Sequence, residues 1–351
     1  MKIKKLQGKL REKRVDLALF YSGEVEDPST VYLSGLTNPQ HSLLVVPAKG
    51  KAVFFANQLE YERAKAGSEV NVKLLKGRMS KIIEKNFPKA KKIGINGHWL
   101  PAAVYLQWKK KWQLIDISSM VEDVRLSKDA KEIRYLKKAA AIADKAFSLM
   151  LKDFTYKTEA EVAAALEYHM KRQGSSTAFP TIVASGKNAS KPHHITSTQK
   201  LRRGFCVIDF GAMYKNYRSD MTRTLFLGKP TDKEKDLYNR LLAAQKAGVK
   251  AGKVGVSCKE VDNASRKHLG KLAKYFIHSL GHGVGVEVHE APHIGPKSKE
   301  KLSRGMVFTV EPGIYVPGKY GIRIEDMVVL GKKKEVITKT SKQLIIIPKS
   351  L

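Results

Sequence analysis

The segment DFGAMYKNYRSDMTRT, residues 209–224, puts carboxylates where an apolar run should continue. Phe205, Cys206, Val207 and Ile208 read as a buried strand, yet the strand ends in Asp209, and Asp220 follows across a hairpin. An ionised carboxylate taken out of water without a partner is strongly destabilising, so the fold must supply positive charge or keep these acids protonated. Lys215–Asn216 is the expected turn, because Asn tolerates positive φ and the flanking Tyr214 and Tyr217 favour strands. Pairing about that turn sets Asp209 opposite Thr222. Asp220 becomes its diagonal neighbour on the same face, within about 8 Å between Cβ atoms, a span that one or two cations can bridge. Taken alone, each acid has an ordinary reading: Asp209 as a strand end, Asp220 as a surface residue beside a turn.

Two further clusters argue against the ordinary reading. Six of the ten histidines fall in two short segments, His193 and His194 in KPHH and His278, His282, His289 and His293 in HSLGHGVGVEVHEAPH. Gly281, Gly283 and Gly285 let the backbone crowd a site there. In FTVEPGIYVPGKYGIRIEDMVV, Glu311 ends one apolar strand and Glu325 interrupts the next across the turn signal PGK. An odd-numbered loop sets both glutamates on one face, and an even one separates them. Four inward carboxylates and one neutral imidazole form an oxygen-rich donor set suited to two divalent ions such as Mn, Co, Fe or Zn, about 3.5 to 4 Å apart.

These residues need a scaffold, and the chain has enough length for two domains: 351 residues, 42% hydrophobic. From Val15 to Ile117, strand-like runs (VDLALF, SLLVVP, KAVFFA, KKIGIN, WQLIDI) alternate with helical stretches (QLEYERAKA, WLPAAVYLQWKKK), an α/β pattern. We place this N-terminal domain at 1–122. The second domain, 123–351, begins near a helix with Asp129 as N-cap and Glu132 three residues on, its apolar face formed by Ile133, Leu136, Ala140, Ala143, Phe147 and Met150. Thr158 with Glu161, Thr231 with Glu234 and Ser257 with Glu260 read as three more helix caps. Each half of this domain thus has helices first and an acid-bearing hairpin last, so an internal two-fold repeat would set the hairpins back to back.

The order and spacing of these residues resemble the pita-bread metallopeptidases: Xaa-Pro dipeptidase (prolidase) and Xaa-Pro aminopeptidase, with methionine aminopeptidase and creatinase as relatives. The resemblance is carried by DFGA...SDMTRT, GHGVGVEVHE, TVEPG and GIRIED in the second domain. It implies a creatinase-like α/β N-terminal domain, an α+β pita-bread catalytic domain with pseudo-two-fold symmetry, and hydrolysis of Xaa-Pro bonds by a homodimer. By position it makes Asp209 a chelator of one metal ion, Asp220 and Glu325 bridges, and His282 and Glu311 ligands of the other ion. A bridging hydroxide would attack the scissile carbonyl, with Glu311 as proton shuttle. His289 and His193 would steady the carbonyl oxygen and tetrahedral intermediate, and Arg323 would orient Glu325. His194 and His278 read as structural, and His268 as solvated. His293 departs from the pattern, since many dipeptide-cleaving relatives carry arginine at or near this position. Methionine aminopeptidases usually lack so large an N-terminal domain. Metal-free relatives and silent binding modules should lack some ligands, and all five are present.

Composition narrows the setting. No apolar run reaches the roughly 18 residues of a membrane helix, and Cys206 and Cys258 form neither a disulfide framework nor a C-x-x-C site, so a cytoplasmic protein is expected. The net charge of +32 is spread over short clusters such as KKKW and GKKKE, a solvated lysine surface with non-specific attraction for polyanions.

Overall fold

The computed structural model describes residues 2–152 and 154–348. Its chain divides into two units, Met1–Arg125 and Leu126–Leu351.

In the first unit the apolar runs form a six-stranded sheet: β1 (Leu17–Ser22), β2 (Ser42–Pro47), β3 (Val53–Ala56), β4 (Asn71–Leu74), β5 (Lys92–Ile95) and β6 (Gln113–Asp116). The strand order is β4-β3-β2-β1-β5-β6. Strand β2 runs antiparallel to β1 and β3, whereas β1∥β5, β3∥β4 and β5∥β6 are parallel. The starts of β1, β3, β5 and β6 therefore share one end of the sheet with the finish of β2. All six β2 residues are buried, as expected for a strand covered on both faces. At the opposite end, Asp27 caps the helix Pro28–Ser34, its Oδ1 accepting from Ser29 N at 2.8 Å and from Asn96 Nδ2 at 3.0 Å. Burial lifts the Asp27 carboxyl to about 6, against the pull of those hydrogen bonds.

The second unit has the expected helices-then-hairpin order twice. Helix Ala130–Lys152 starts where the capping signal put it: Asp129 Oδ1 accepts from Glu132 N, and Glu132 Oε2 accepts from Asp129 N, both at 2.9 Å. With Glu159–Lys171 it packs on a four-stranded sheet ordered 345–347, 221–227, 204–210, 182–185, through a core that includes Phe147, Met170, Ile208 and Leu225. Helices Asp232–Ala251 and Cys258–Leu269, each with a complete capping box, precede a five-stranded sheet ordered 290–294, 281–283, 307–310, 326–330, 334–336. The two halves meet between their hairpins, where Glu325 N donates to Thr222 O at 3.1 Å and Thr224 Oγ1 donates to Arg323 O at 2.8 Å.

Behind that seam lies Arg223, 1% exposed. Its guanidinium donates to the carbonyls of Thr222, Glu325, Thr340 and Ser341 and to Asp326 Oδ1, which engages every N–H group of the fork. The C-terminal strand Ile345–Ile347 then pairs parallel to Met221–Leu227. No helix among the described residues is long and apolar enough to cross a membrane.

Candidate metal centre

The first hairpin turns at Lys215–Asn216, with φ of 50° and 69°, and pairs Tyr214 with Tyr217 and Met213 with Arg218. Continuing that register, Asp209 faces Thr222 in the pairing of Gly204–Phe210 with Met221–Leu227. Gly211 is required between them, because a Cβ there would lie 1.9 Å from Ser219 O. In the second hairpin Val316 pairs with Tyr320, leaving the three-residue loop 317–319 with Gly318 at φ 67°. The loop is odd. The pairs Gly313–Arg323 and Val310–Asp326 flank Glu311 and Glu325, so the two glutamates stand opposite each other.

Both hairpins, the His282 strand and the KPHH loop open on one cavity of about 1330 Å³, lined by Asp209, Asp220, His282, Glu311, Glu325, His193, His289 and Arg323. One ligand atom each from Asp220, His282 and Glu325 lies within 4.8 Å of the others. His282 Nε2 stands 3.2 Å from Glu311 Oε1 and 3.6 Å from Asp220 Oδ2. On the other flank, Asp209 Oδ2 accepts from Arg323 Nη2 at 2.6 Å. Asp209 Oδ1 and Glu325 Oε1 are buried and have no hydrogen-bond partner among the described residues. Buried, unpartnered carboxylate oxygens facing an imidazole across a cavity fit hard or borderline divalent cations.

The electrostatics agree with that fit. Burial, followed by the neighbouring carboxylates Glu325, Asp209 and Glu311, pushes Asp220 well above the usual carboxylate range. Burial, then Glu311 and Asp209, does the same to Glu325. Asp209 is raised by burial against the opposing charge of Arg323. Burial would also raise Glu311, but the hydrogen bond and charge of His282 outweigh it and hold this carboxyl below its ordinary value. His289, whose ring centroid lies 4.3 Å from that of His282, is lowered by partial burial and by His282. His193 is exposed at the cavity wall.

Arg323 differs in detail from the sequence expectation. Its guanidinium pairs directly with Asp209 and reaches Glu325 only through Thr222, which accepts from Arg323 Nε at 3.0 Å and donates to Glu325 Oε2 at 2.8 Å. The strand register accounts for this: Arg323 and Glu325 belong to one strand direction, while Asp209 and Thr222 are paired with each other inside the first hairpin, on the other side of the seam. Arg323 Nη1 also donates to Tyr315 Oη at 2.8 Å, and His278 Nε2 lies 3.1 Å from the same oxygen. Thr222, Tyr315 and Arg223 were absent from the sequence-based set, although Thr222 and Arg223 sit inside the quoted motif SDMTRT. Glu159 was also missed and gave no sequence signal, being a helix-start glutamate whose partner His194 is 35 residues away.

Family comparison adds identity to this geometry. Residues 2–127 match the creatinase/prolidase N-terminal domain, and residues 134–332 match metallopeptidase family M24. A Xaa-Pro dipeptidase of Pyrococcus horikoshii is 37% identical over 98% of both chains. Among solved structures, the prolidase from P. horikoshii OT3 superposes with TM-score 0.90 at 37% identity, covering 98% of this chain and 99% of that one. The X-Pro aminopeptidase from Thermotoga maritima gives TM-score 0.88 at 34% identity, covering 96% and 100%. With both domains matched and the donor set gathered at the seam of the pita-bread unit, the chain belongs to metallopeptidase family M24, a family that works with divalent metal, and is a peptidase with prolidases among its relatives.

Proposed function

We propose that the protein is a dinuclear metal-dependent exopeptidase cleaving Xaa-Pro bonds, acting chiefly as a Xaa-Pro dipeptidase. The observation that carries this reading is the convergence of four carboxylates and His282 on one cavity, with two carboxylate oxygens left unpartnered. Asp209 would hold one ion, Asp220 and Glu325 would be shared, and His282 with Glu311 would hold the second, with Mn or Co favoured over Fe or Zn. When bound, such ions act as Lewis acids and lower the pKa of water toward neutrality.

The chain's own groups carry the remaining steps. Glu311, ionised at neutral pH, accepts a proton from the attacking water and returns it to the leaving nitrogen. His289, neutral at that pH, offers one ring N–H to the carbonyl oxygen from a partly buried position, and His193 lines the same cavity. Arg323 pairs with Asp209, opposing the rise that burial imposes on this carboxyl, and through Thr222 fixes the rotamer of Glu325.

One observation favours a second reading, a Xaa-Pro aminopeptidase for longer peptides. His293 occupies the cavity rim with its Nε2 2.9 Å from Ser279 Oγ, a weaker anchor for a substrate carboxylate than a free guanidinium. We also propose a homodimer, on the resemblance, and a cytoplasmic location, which the two buried free thiols suit.

The deciding experiment compares hydrolysis of Ala-Pro, Met-Pro, Ala-Ala and Arg-Pro-Pro by chelated protein before and after addition of Mn or Co. Metal-restored cleavage of Ala-Pro and Met-Pro, with Ala-Ala inert, is expected. Full activity after complete chelation, or equal turnover of Ala-Ala, defeats the proposal.

A further inference from the structure

The basic clusters that look scattered in the sequence are gathered by the topology of the N-terminal sheet. The segments EKRVD (12–16), AKGKA (48–52), FPKAKK (87–92) and KKKW (109–112) carry ten basic side chains against two acids. The first leads into β1, the second joins β2 to β3, the third enters β5 and the fourth enters β6, so all four lie at one end of the sheet. Hydrogen bonds lace them together: Ala48 N donates to Asp16 O at 2.9 Å, Lys91 N and Lys92 N to Asp16 Oδ2 at 2.8 Å, and Gln113 N to Lys91 O at 3.0 Å. All ten basic side chains are exposed. Among the described residues only Lys111 of the ten meets an acid, Glu84, and the Asp16 carboxylate is already engaged by backbone.

Helix ends explain part of this charge. The helices Lys2–Glu12, Met79–Asn86 and Ala102–Lys109 finish near this edge, where their dipoles favour cations. That account does not reach Lys49 and Lys51, which occupy a strand-to-strand turn with no helix beside it in sequence. From β3 to β6 the row crosses four inter-strand spacings, about 19 Å.

The chemistry of the row selects its partner. None of the exposed large apolar side chains, such as Leu59, Trp99 or Leu106, falls in the four segments, so the row lacks both the apolar centre of a protein interface and the wedge of a membrane-seated element. Nine of the ten basic groups are lysines, compact point charges that meet phosphates singly and are poorly shaped to read base edges. We propose that this end of the N-terminal sheet binds the sugar-phosphate backbone of nucleic acid without reading its sequence, a property independent of the peptidase residues.

The test uses the full chain, a fluorescein-labelled 25-mer DNA duplex and a single-stranded RNA of mixed sequence, with anisotropy measured from about 50 to 300 mM salt. One variant combines Lys49→Gln, Lys51→Gln, Lys91→Gln and Lys110→Gln. A control removes the same charge from the second unit through Lys297→Gln, Lys299→Gln, Lys332→Gln and Lys333→Gln. The wild type should bind with a log–log salt slope of about −3 to −5, and the sheet-end variant should lose at least about tenfold in affinity and about three units of slope. The control should stay within about threefold, and both variants should keep peptidase activity. Equal losses in the two variants, no nucleic-acid binding by the wild type at the lowest salt, or retention only on phosphatidylserine vesicles would overturn the proposal.

Discussion

His194 Nε2 lies 2.8 Å from Glu159 Oε2, and this carboxylate is wholly buried. Glu159 opens the helix Glu159–Lys171 and also accepts from Ser185 N at 2.9 Å, Asn188 Nδ2 at 3.0 Å and Ser197 Oγ at 3.4 Å. One carboxylate thus ties the KPHH loop to the helix and to the strand Ile182–Ser185, and the next residue back along the loop is His193, on the cavity wall. Glu159→Gln should lower stability by about 2 kcal/mol, as for a hydrogen bond to a charged group. It should also reduce kcat/KM about tenfold, as for a displaced contributor to transition-state stabilisation, while metal content stays at wild type. Unchanged kinetics with a lowered Tm would assign the network to stability alone.

Asp220 and Asp209 should respond differently to loss of charge. Asp220 faces other carboxylates, with His282 3.6 Å away and Arg323 acting on it only through space, whereas Asp209 is paired directly with the buried Arg323. In chelated protein, Asp220→Asn should raise Tm because it removes like-charge repulsion, which amounts to about 4 kcal/mol per close pair at an effective dielectric of 20. Asp209→Asn should leave Tm unchanged or lower, since the guanidinium loses its counter-charge. Both should bind nearer one metal ion than two per chain and lose about 10² or more in activity, measured by metal analysis and turnover of Ala-Pro. Identical Tm shifts would mean that Arg323 does not distinguish the two acids.

The first unit should show its own acid dependence through Asp27, whose carboxyl is raised from 3.8 to about 6 by burial. A group raised on folding contributes fully below its unfolded value, and that contribution is lost as pH rises through the folded value. The loss therefore falls between pH 4 and 6 and amounts to about 3 kcal/mol. Asp27→Asn keeps an oxygen to cap Ser29 N and removes the titration. Hydrogen exchange of the β1 and β2 amides should be slower in the variant than in wild type at pH 7.5, and alike at pH 4 after correction for intrinsic rates. A constant difference across pH would refute the assignment.

His293 should make the enzyme tolerant of a blocked C-terminus. An exposed imidazole engaged by Ser279 adds at most the roughly 1 kcal/mol of a surface ion pair, so Ala-Pro should exceed Ala-Pro-amide by less than about fivefold in kcat/KM. Strict selectivity for the free acid would require another cationic group at that rim.

The parts legible in the sequence were those governed by local rules. Strand alternation and the chemistry of the Lys215–Asn216 turn were enough to pair Asp209 with Thr222, and four Ser, Thr or Asp caps marked helix starts. The parity of the 317–319 loop was the open condition for Glu311 and Glu325, and three residues satisfy it. Contacts between distant segments left no local trace. Glu159 and His194 meet across 35 residues, Arg223 and Thr340 across 117, and the lysine row exists only because β1 pairs with both β2 and β5 and so sets four separate segments side by side.

Arg223 ties the centre to the order in which the chain is made. The carbonyls of Thr340 and Ser341, which hold its guanidinium, and the strand Ile345–Ile347, which closes the sheet beside Met221–Leu227, are among the last described parts of the chain to leave a ribosome. The first unit can fold while synthesis continues, since domains fold as units from the N-terminal side. The seam between the two hairpins leans on these late residues, because without them the Arg223 guanidinium would lose two of its five hydrogen bonds and the strand Met221–Leu227 its outer neighbour. A chain cut before residue 340 is therefore expected to lose metal-dependent turnover of Ala-Pro even though every proposed ligand is still encoded.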